Sequence, residues 1–127
     1  MIPENIKSLI TGLIEKTNAK RANWDKTSRP NEFKLHFDMG AVTTDNWYDD
    51  SENEYVDFAI YNSLGDRIDV FSVSRNNPDY QEIIRLHTTA KKEYYKVDET
   101  INGLLDEIKS DKNIGLKRTE TNDDLPF

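Results

Sequence analysis

Hydrophobic and polar residues alternate along residues 55–74, and this alternation predicts a β-hairpin. Val56, Phe58 and Ile60 recur at every second position, which is the two-residue period of a strand. A second alternating run, residues 68–74, follows after five residues that contain Gly65 and are typical of a turn. We therefore predict two antiparallel strands here, with the rest of the chain arranged around this hairpin.

Three further runs predict strands that precede the hairpin. Residues 22–26 form a short candidate that carries Trp24, and residues 32–38 alternate apolar with polar side chains. Residues 41–48 form a third, weaker run, and Met39 with Gly40 marks a tight turn before it. Short connections between successive strands favour an antiparallel meander of four or five strands.

Two regions show the helical period instead. Apolar residues recur every three or four positions in residues 3–20, and a second such stripe holds its phase through residues 80–108. Asp98 is a residue type that starts helices, so one long helix and two helices that abut near residues 96–99 are both open. We predict an α+β fold: an N-terminal helix, the meander and a long C-terminal helix in one domain, residues 1–110. A flexible, disordered acidic tail, residues 111–127, follows it.

Composition narrows the class of protein. The 127 residues carry a formal net charge of -7, which disfavours direct binding to a nucleic-acid backbone and suits a basic protein partner. The chain contains no cysteine, so disulfides and thiolate metal sites are excluded, and a reducing compartment is expected. The N-terminal residues do not resemble a signal peptide, and no apolar run is long enough to span a membrane. We expect a cytoplasmic protein that does not enter membranes.

The sequence shows no catalytic motif. His36 and His87 are the only histidines, they lack the spacing of metal ligands, and His87 lies on the apolar stripe, where a core residue is expected. The chain has neither a nucleophile elbow nor a glycine-rich phosphate loop. We therefore expect a non-enzymatic protein with no metal and no cofactor.

The last seven residues, TNDDLPF, combine features of a docking peptide. Phe127 and Leu125 offer apolar anchors, and Pro126 lowers the entropy lost on ordering. Asp123 and Asp124 would steer the segment toward a basic groove. This tip resembles the C-terminal tip of bacterial single-stranded-DNA-binding proteins, which docks on proteins of DNA replication, recombination and repair. The resemblance implies a protein-interaction module that binds a DNA-metabolism protein through the tip.

The rest of the chain does not look like an oligonucleotide-binding barrel. Through residues 24–28 and the hairpin it is similar to small α+β proteins of bacteria and their phages, a resemblance that implies no activity.

An alternative partner site is the acidic stretch at residues 45–57, which holds six acidic residues and no basic one. It reads either as a solvated hairpin loop or as the binding face of a small inhibitor or immunity-type protein that meets a basic partner, with aromatic anchors beside the acids. The residues of this alternative face are Asp45, Trp47, Asp49, Asp50, Glu52 and Glu54.

Two weaker surfaces complete the set. A basic stretch at residues 16–34, with Trp24 in it, could contact nucleic acid, although a surface that balances the acidic hairpin is the favoured interpretation. The sheet face away from the helices could gather Trp47, Tyr61, Phe71 and Val73 into a small-ligand pocket or a homodimer contact.

Overall fold

The structure, a computed structural model, describes residues 2–115, and it confirms the predicted α+β class. The predicted tail beyond residue 115 lies outside the described residues. The elements in chain order are α1 (Glu4–Asn18), β1 (Asp25–Lys26), β2 (Glu32–His36), β3 (Gly40–Tyr48), β4 (Glu54–Asn62), β5 (Arg67–Ser74), α2 (Tyr80–Tyr94) and α3 (Val97–Lys109).

The five strands form one antiparallel sheet in the order β1-β2-β3-β4-β5. The predicted hairpin is the β4–β5 pair, but β5 is an edge strand and β3 occupies the centre of the sheet. Gly40 begins β3 opposite β4, and a Cβ at this position would lie 2.2 Å from the backbone oxygen of Tyr61. Glycine at residue 40 therefore permits the close pairing of β3 with β4.

The hydrophobic core lies between one face of the sheet and two helices. α2 lies against β2, β3 and β4, and α1 packs beside α2. Phe33, Val56 and Phe58 are fully buried in this layer. The face of the sheet opposite the helices is called the open face below. Burial of this kind supplies most of the stability of a domain of this size.

Trp24 is part of this core rather than of a strand. Its indole N–H donates to Thr17 Oγ1 at 3.0 Å, and the Thr17 hydroxyl donates to the Leu13 carbonyl at 2.7 Å. Only Asp25 and Lys26 of the predicted strand 22–26 pair with β2, because Ala22 and Trp24 turn into the core. The chain before Asp25 therefore leaves the edge of β2.

Of the two arrangements left open for residues 80–108, the structure has two helices, α2 and α3, with Tyr95 and Lys96 between them. Lys96 has a φ of 54°, a left-handed conformation that costs a residue with a side chain about 1 kcal/mol. Its Nζ donates to Glu93, which is buried and also accepts from Lys20, each at 2.9 Å. Burial alone would raise the pKa of Glu93, yet these hydrogen bonds outweigh it and hold the pKa below its ordinary value.

The chain divides at residue 97 into two compact units. We call the described residues 2–97 the body and residues 98–115 the arm. The body contains the sheet, α1 and α2, and the arm contains α3 apart from its first residue.

Candidate functional site

The acidic loop between β3 and β4 is built around Asp49. Its Oδ1 accepts hydrogen bonds from the backbone N–H groups of Ser51 and Asn53, both at 2.9 Å, and its Oδ2 accepts one from the Asn53 side chain at 3.1 Å. These bonds, the backbone N–H of Asn53 first, lower the pKa of Asp49. Asp50 and Glu52 are exposed on this loop. Asp49 thus holds the loop, and the other two carboxylates face solvent.

Glu54 lies on the helix side of the sheet and supports the fold. Its carboxylate accepts hydrogen bonds from the Tyr80 hydroxyl and the Asn46 side chain, and Arg75 lies 3.4 Å from its other oxygen. The hydrogen bond from Tyr80 lowers the pKa of Glu54 most, whereas burial and this carboxylate raise the pKa of Tyr80 to about 12. Glu54 therefore joins β4 to α2 and Arg75.

Asp45 lies on the open face, although it is itself buried. Arg29 covers it, with its Nε 2.7 Å from Asp45 Oδ2. Asp45 pairs in register with Glu32 on one side and Asp57 on the other, so three carboxylates form a row across β2, β3 and β4. Hydrogen bonding to Asp45 and the charge of this row raise the pKa of Arg29. Arg29 thus places a positive charge beside the acidic stretch at residues 45–57, which contains no basic residue of its own.

The aromatic pair Trp47 and Tyr55 adjoins this row. The two rings stack with centroids 4.5 Å apart and planes inclined by 15°, across directly paired positions of β3 and β4. The alternative face predicted from sequence is therefore divided among three environments. Asp45 and Trp47 lie on the open face, Asp49, Asp50 and Glu52 on the loop, and Glu54 faces the helices.

The structure separates the residues of the two weaker surfaces. Phe71 and Val73 pack against the core, so they do not join Trp47 and Tyr61 on the open face. The basic stretch has no exposed stacking ring, because Trp24 is buried. Its cations are dispersed instead: Lys20 pairs with Glu93, Arg29 with Asp45, and Lys34 lies 5.0 Å from the Tyr61 ring centroid.

His87 is a core residue, as its position on the apolar stripe predicted. Its Nδ1 lies 3.2 Å from the Thr44 hydroxyl, and its ring is tilted 55° against Phe33 at a centroid distance of 5.6 Å. Burial lowers the pKa of His87 to about 4, and the charge of Lys91 acts in the same direction. The imidazole is therefore neutral near pH 7.

A groove of about 470 Å³ separates α1 from the end of β2. Its size falls within the range of small-ligand pockets. Its lining mixes apolar with basic side chains and contains no carboxylate. The sequence signal for it was the pair Lys16 and Arg21, which we assigned to a general basic surface. The lining residues are Ser8, Leu9, Gly12, Leu13, Lys16, Arg21, Ala22, Asn23, Leu35, His36 and Phe37.

α3 carries an apolar stripe whose side chains are exposed. Its side chains Ile101, Leu104, Leu105 and Ile108 are all exposed, and none of its residues is buried. Positions 97, 101, 104 and 108 follow the alternating four- and three-residue spacing of helices that pack on another helix or groove. A helix of 13 residues is marginal in water without such packing.

Residues 2–115 contain neither a candidate metal site nor a candidate membrane-spanning helix. No group of three or more His, Asp or Glu residues within residues 2–115 is arranged to hold a metal ion. None of the helices in this part of the chain has the length and apolar character needed to cross a bilayer. The predicted tip site, residues Asp123, Asp124, Leu125, Pro126 and Phe127, lies outside the described residues.

Comparison with known proteins adds no relative: no protein-family model matches the chain, and searches of curated proteins and of solved structures find no significant match.

Proposed function

We propose that the protein is a non-enzymatic interaction module that binds another protein through its C-terminal part, α3 followed by the DDLPF tip. The observation that carries this proposal is the exposed apolar stripe of α3. Exposed apolar area on a marginal helix favours association, since covering it removes that area from water and stabilises the helix.

The charge of this segment supports a basic partner. α3 contains four acidic residues and one basic residue, and Asp123 with Asp124 adds two more acids near the tip. Like charges weaken pairing of α3 with a second copy of itself, whereas a basic groove is complementary to it. A partner that offers an apolar groove with a basic rim matches both α3 and the tip.

The resemblance of the tip to the docking tail of single-stranded-DNA-binding proteins supports a DNA-metabolism protein as the partner class. The direct test is competition. A labelled tail peptide from a bacterial single-stranded-DNA-binding protein is bound to a purified repair or replication enzyme that recognises it, and the full chain is added. We expect displacement with an affinity on the order of micromolar, as burial of two apolar side chains with added ion pairs allows.

Matched variants assign the binding to its parts. Replacement of Leu125 and Phe127 by serine should abolish displacement, and replacement of Leu104 and Leu105 by serine should weaken it if α3 contributes. The control is serine at Leu64, an exposed leucine in the β4–β5 turn of the body. Displacement by the variant that lacks Leu125 and Phe127 at the affinity of the unmodified chain would refute docking through the tip.

A second candidate function is that of a small acidic inhibitor or immunity-type protein, and the ordered loop around Asp49 favours it. A loop held by its own hydrogen bonds loses little entropy on binding, so exposed Asp50 and Glu52 would meet a basic partner already positioned. Asp50→Lys with Glu52→Lys should then abolish binding of a basic partner, and added salt should weaken it. Asp66→Lys, in the turn between β4 and β5, is the control. This candidate would be excluded if the variant with serine at Leu125 and Phe127 lost binding while the Asp50→Lys, Glu52→Lys variant kept it.

A further inference from the structure

The groove between α1 and the end of β2 combines apolar walls with basic side chains. Leu9, Leu13 and Phe37 provide apolar walls, and Lys16 and Arg21 are exposed at the same groove. No acidic residue lines it, although the whole chain carries a net charge of -7. This local concentration of positive charge next to apolar surface favours a ligand that is both acidic and apolar.

One side of the groove is an edge of the sheet. The Phe37 N–H donates to the Gly40 carbonyl at 2.8 Å, so Phe37 directs its backbone groups toward β3. In an antiparallel pair this direction alternates from one residue to the next, so the N–H and C=O of His36 point to the opposite edge. The ladder of β1 with β2 consists of Asp25–Lys34 and Lys26–Phe33, and it does not extend to His36.

We propose that this groove binds an extended peptide segment of a partner protein that carries an aliphatic or aromatic side chain flanked by carboxylates. The peptide backbone adds to the edge of β2 at His36, which is strand addition to a sheet. Its apolar side chain enters the space between Leu9, Leu13 and Phe37, and its carboxylates pair with Lys16 and Arg21. This site is in the body, so it is independent of the function proposed for the C-terminal part of the chain.

A peptide fits these observations better than a nucleic acid. Phe37 is the only ring among the lining residues apart from His36, whereas single-stranded nucleic acids are bound on rows of aromatic side chains. Lys16 and Arg21 are the only lysine and arginine side chains that line the groove, whereas a nucleic-acid backbone presents a phosphate to be neutralised at every nucleotide. An oligonucleotide is therefore a comparison arm of the test.

Gly12 allows the groove to be blocked without disturbing the core. It lies on α1 in the wall of the groove, and a Cβ placed there would meet no atom within 4 Å. Gly12→Leu fills the space that the peptide side chain would occupy and replaces a poor helix former with a good one. Gly103→Leu, at another helical glycine with open space around its Cβ, is the matched control.

The probe is a fluorescein-labelled peptide of sequence Asp-Asp-Leu-Val-Phe-Glu, and its anisotropy is measured against the full chain. We expect saturable binding that Gly12→Leu weakens at least about tenfold, the loss that removal of one apolar contact and its ion pairs would give. The double variant Lys16→Glu, Arg21→Glu should weaken binding by about as much. Gly103→Leu should leave the affinity unchanged. Amide resonances of His36 and Phe37 should shift on titration, and exchange of the His36 amide should slow.

Three results would overturn the proposal. One is equal affinity of the Gly12→Leu variant and the unmodified chain, with both folded by thermal denaturation. Another is binding of a Lys-Lys-Leu-Val-Phe-Lys peptide or an oligothymidylate as tight as that of the acidic peptide. The third is a chain that sediments as a dimer and becomes a monomer when Gly12 is replaced by leucine. The occupant of the groove would then be a second copy of the chain.

Discussion

α1 and α3 have similar lengths and the same kind of apolar stripe, yet their surroundings differ completely. Ile10 of α1 is 2% exposed in the core, whereas Ile101 of α3 is 49% exposed. The stripe of α1 lies in the core beside α2, whereas no residue of α3 is buried. Periodicity therefore predicts that a helix has a face to bury, but it does not predict what buries that face.

The comparison also separates two sources of helix stability. α1 is stabilised by burial in the body. α3 has local features that favour a helix, with Asp98 and Glu99 in its first turn and Lys109 in its last, where these charges complement the helix dipole. Such local terms contribute only about 0.3–1 kcal/mol each, and no residue of α3 is buried, so α3 lacks the main source of stability that α1 has.

Identical substitutions in the two helices should give the largest contrast. Ile10→Ala removes a fully buried side chain and should lower the free energy of unfolding by about 2–5 kcal/mol. Ile101→Ala removes an exposed side chain and should change it by less than about 0.5 kcal/mol. Urea denaturation followed by near-ultraviolet circular dichroism, which reports the aromatic core of the body, measures both values. A loss above 2 kcal/mol for Ile101→Ala would mean that α3 is covered in the free protein.

Acid should affect the body through His87. The pKa of His87 is about 4 in the folded chain and near 6.5 when unfolded, so the unfolded state binds the proton more readily between these values. The free energy of unfolding is therefore unaffected by His87 well above pH 6.5. It falls as the pH drops from 6.5 toward 4, by a total of about 3 kcal/mol.

His87→Gln should flatten this part of the stability profile, and His36→Gln, at an exposed histidine, is the control. Urea denaturation at a series of pH values from 7 to 4.5 measures the difference. An unchanged slope in the His87→Gln variant would assign the pH dependence to other groups.

The smallest expected effect comes from the helical glycines. Gly12→Ala should raise the free energy of unfolding of the body by about 1 kcal/mol, because alanine is the better helix former and the added methyl group meets open space. Gly103→Ala gives α3 the same local advantage, but it should leave the unfolding of the body unchanged and increase only the helical signal in far-ultraviolet circular dichroism. Equal stabilisation by both variants would show that α3 unfolds together with the body.

Local patterns predicted most of the fold. The stripe that includes Ile6 and Ile10 predicted α1, and alternation along Val56, Phe58 and Ile60 predicted β4 with the correct buried face. The sequence analysis placed Phe71 and Val73 of β5 on the open face, which is wrong because both pack against the core. The side of the sheet that they face is set by the pairing of β5 with β4 across the hairpin. Pairing register is a non-local property that periodicity within one strand does not contain.

The candidate sites depended still more on contacts between distant residues. The sequence shows six acids near Asp45, but Arg29 reaches Asp45 only through the turn between β1 and β2, and Tyr80 reaches Glu54 only through the packing of α2. The groove beside Gly12 lies between α1 and the end of β2, and Gly12 is more than twenty positions from Leu35 and His36 in the sequence. Its signal was present in Lys16 and Arg21, yet only the fold places these cations beside apolar walls.

Gly40 has a consequence for how the sequence can vary. An added methyl group would collide with the Tyr61 backbone oxygen, which cannot rotate away as the end of a side chain could. In a library that randomises all five glycines, position 40 should retain glycine alone among functional clones, while position 12 accepts many residues. Among the five glycines, the strictest requirement is thus set by the spacing between two main chains at the end of the central strand.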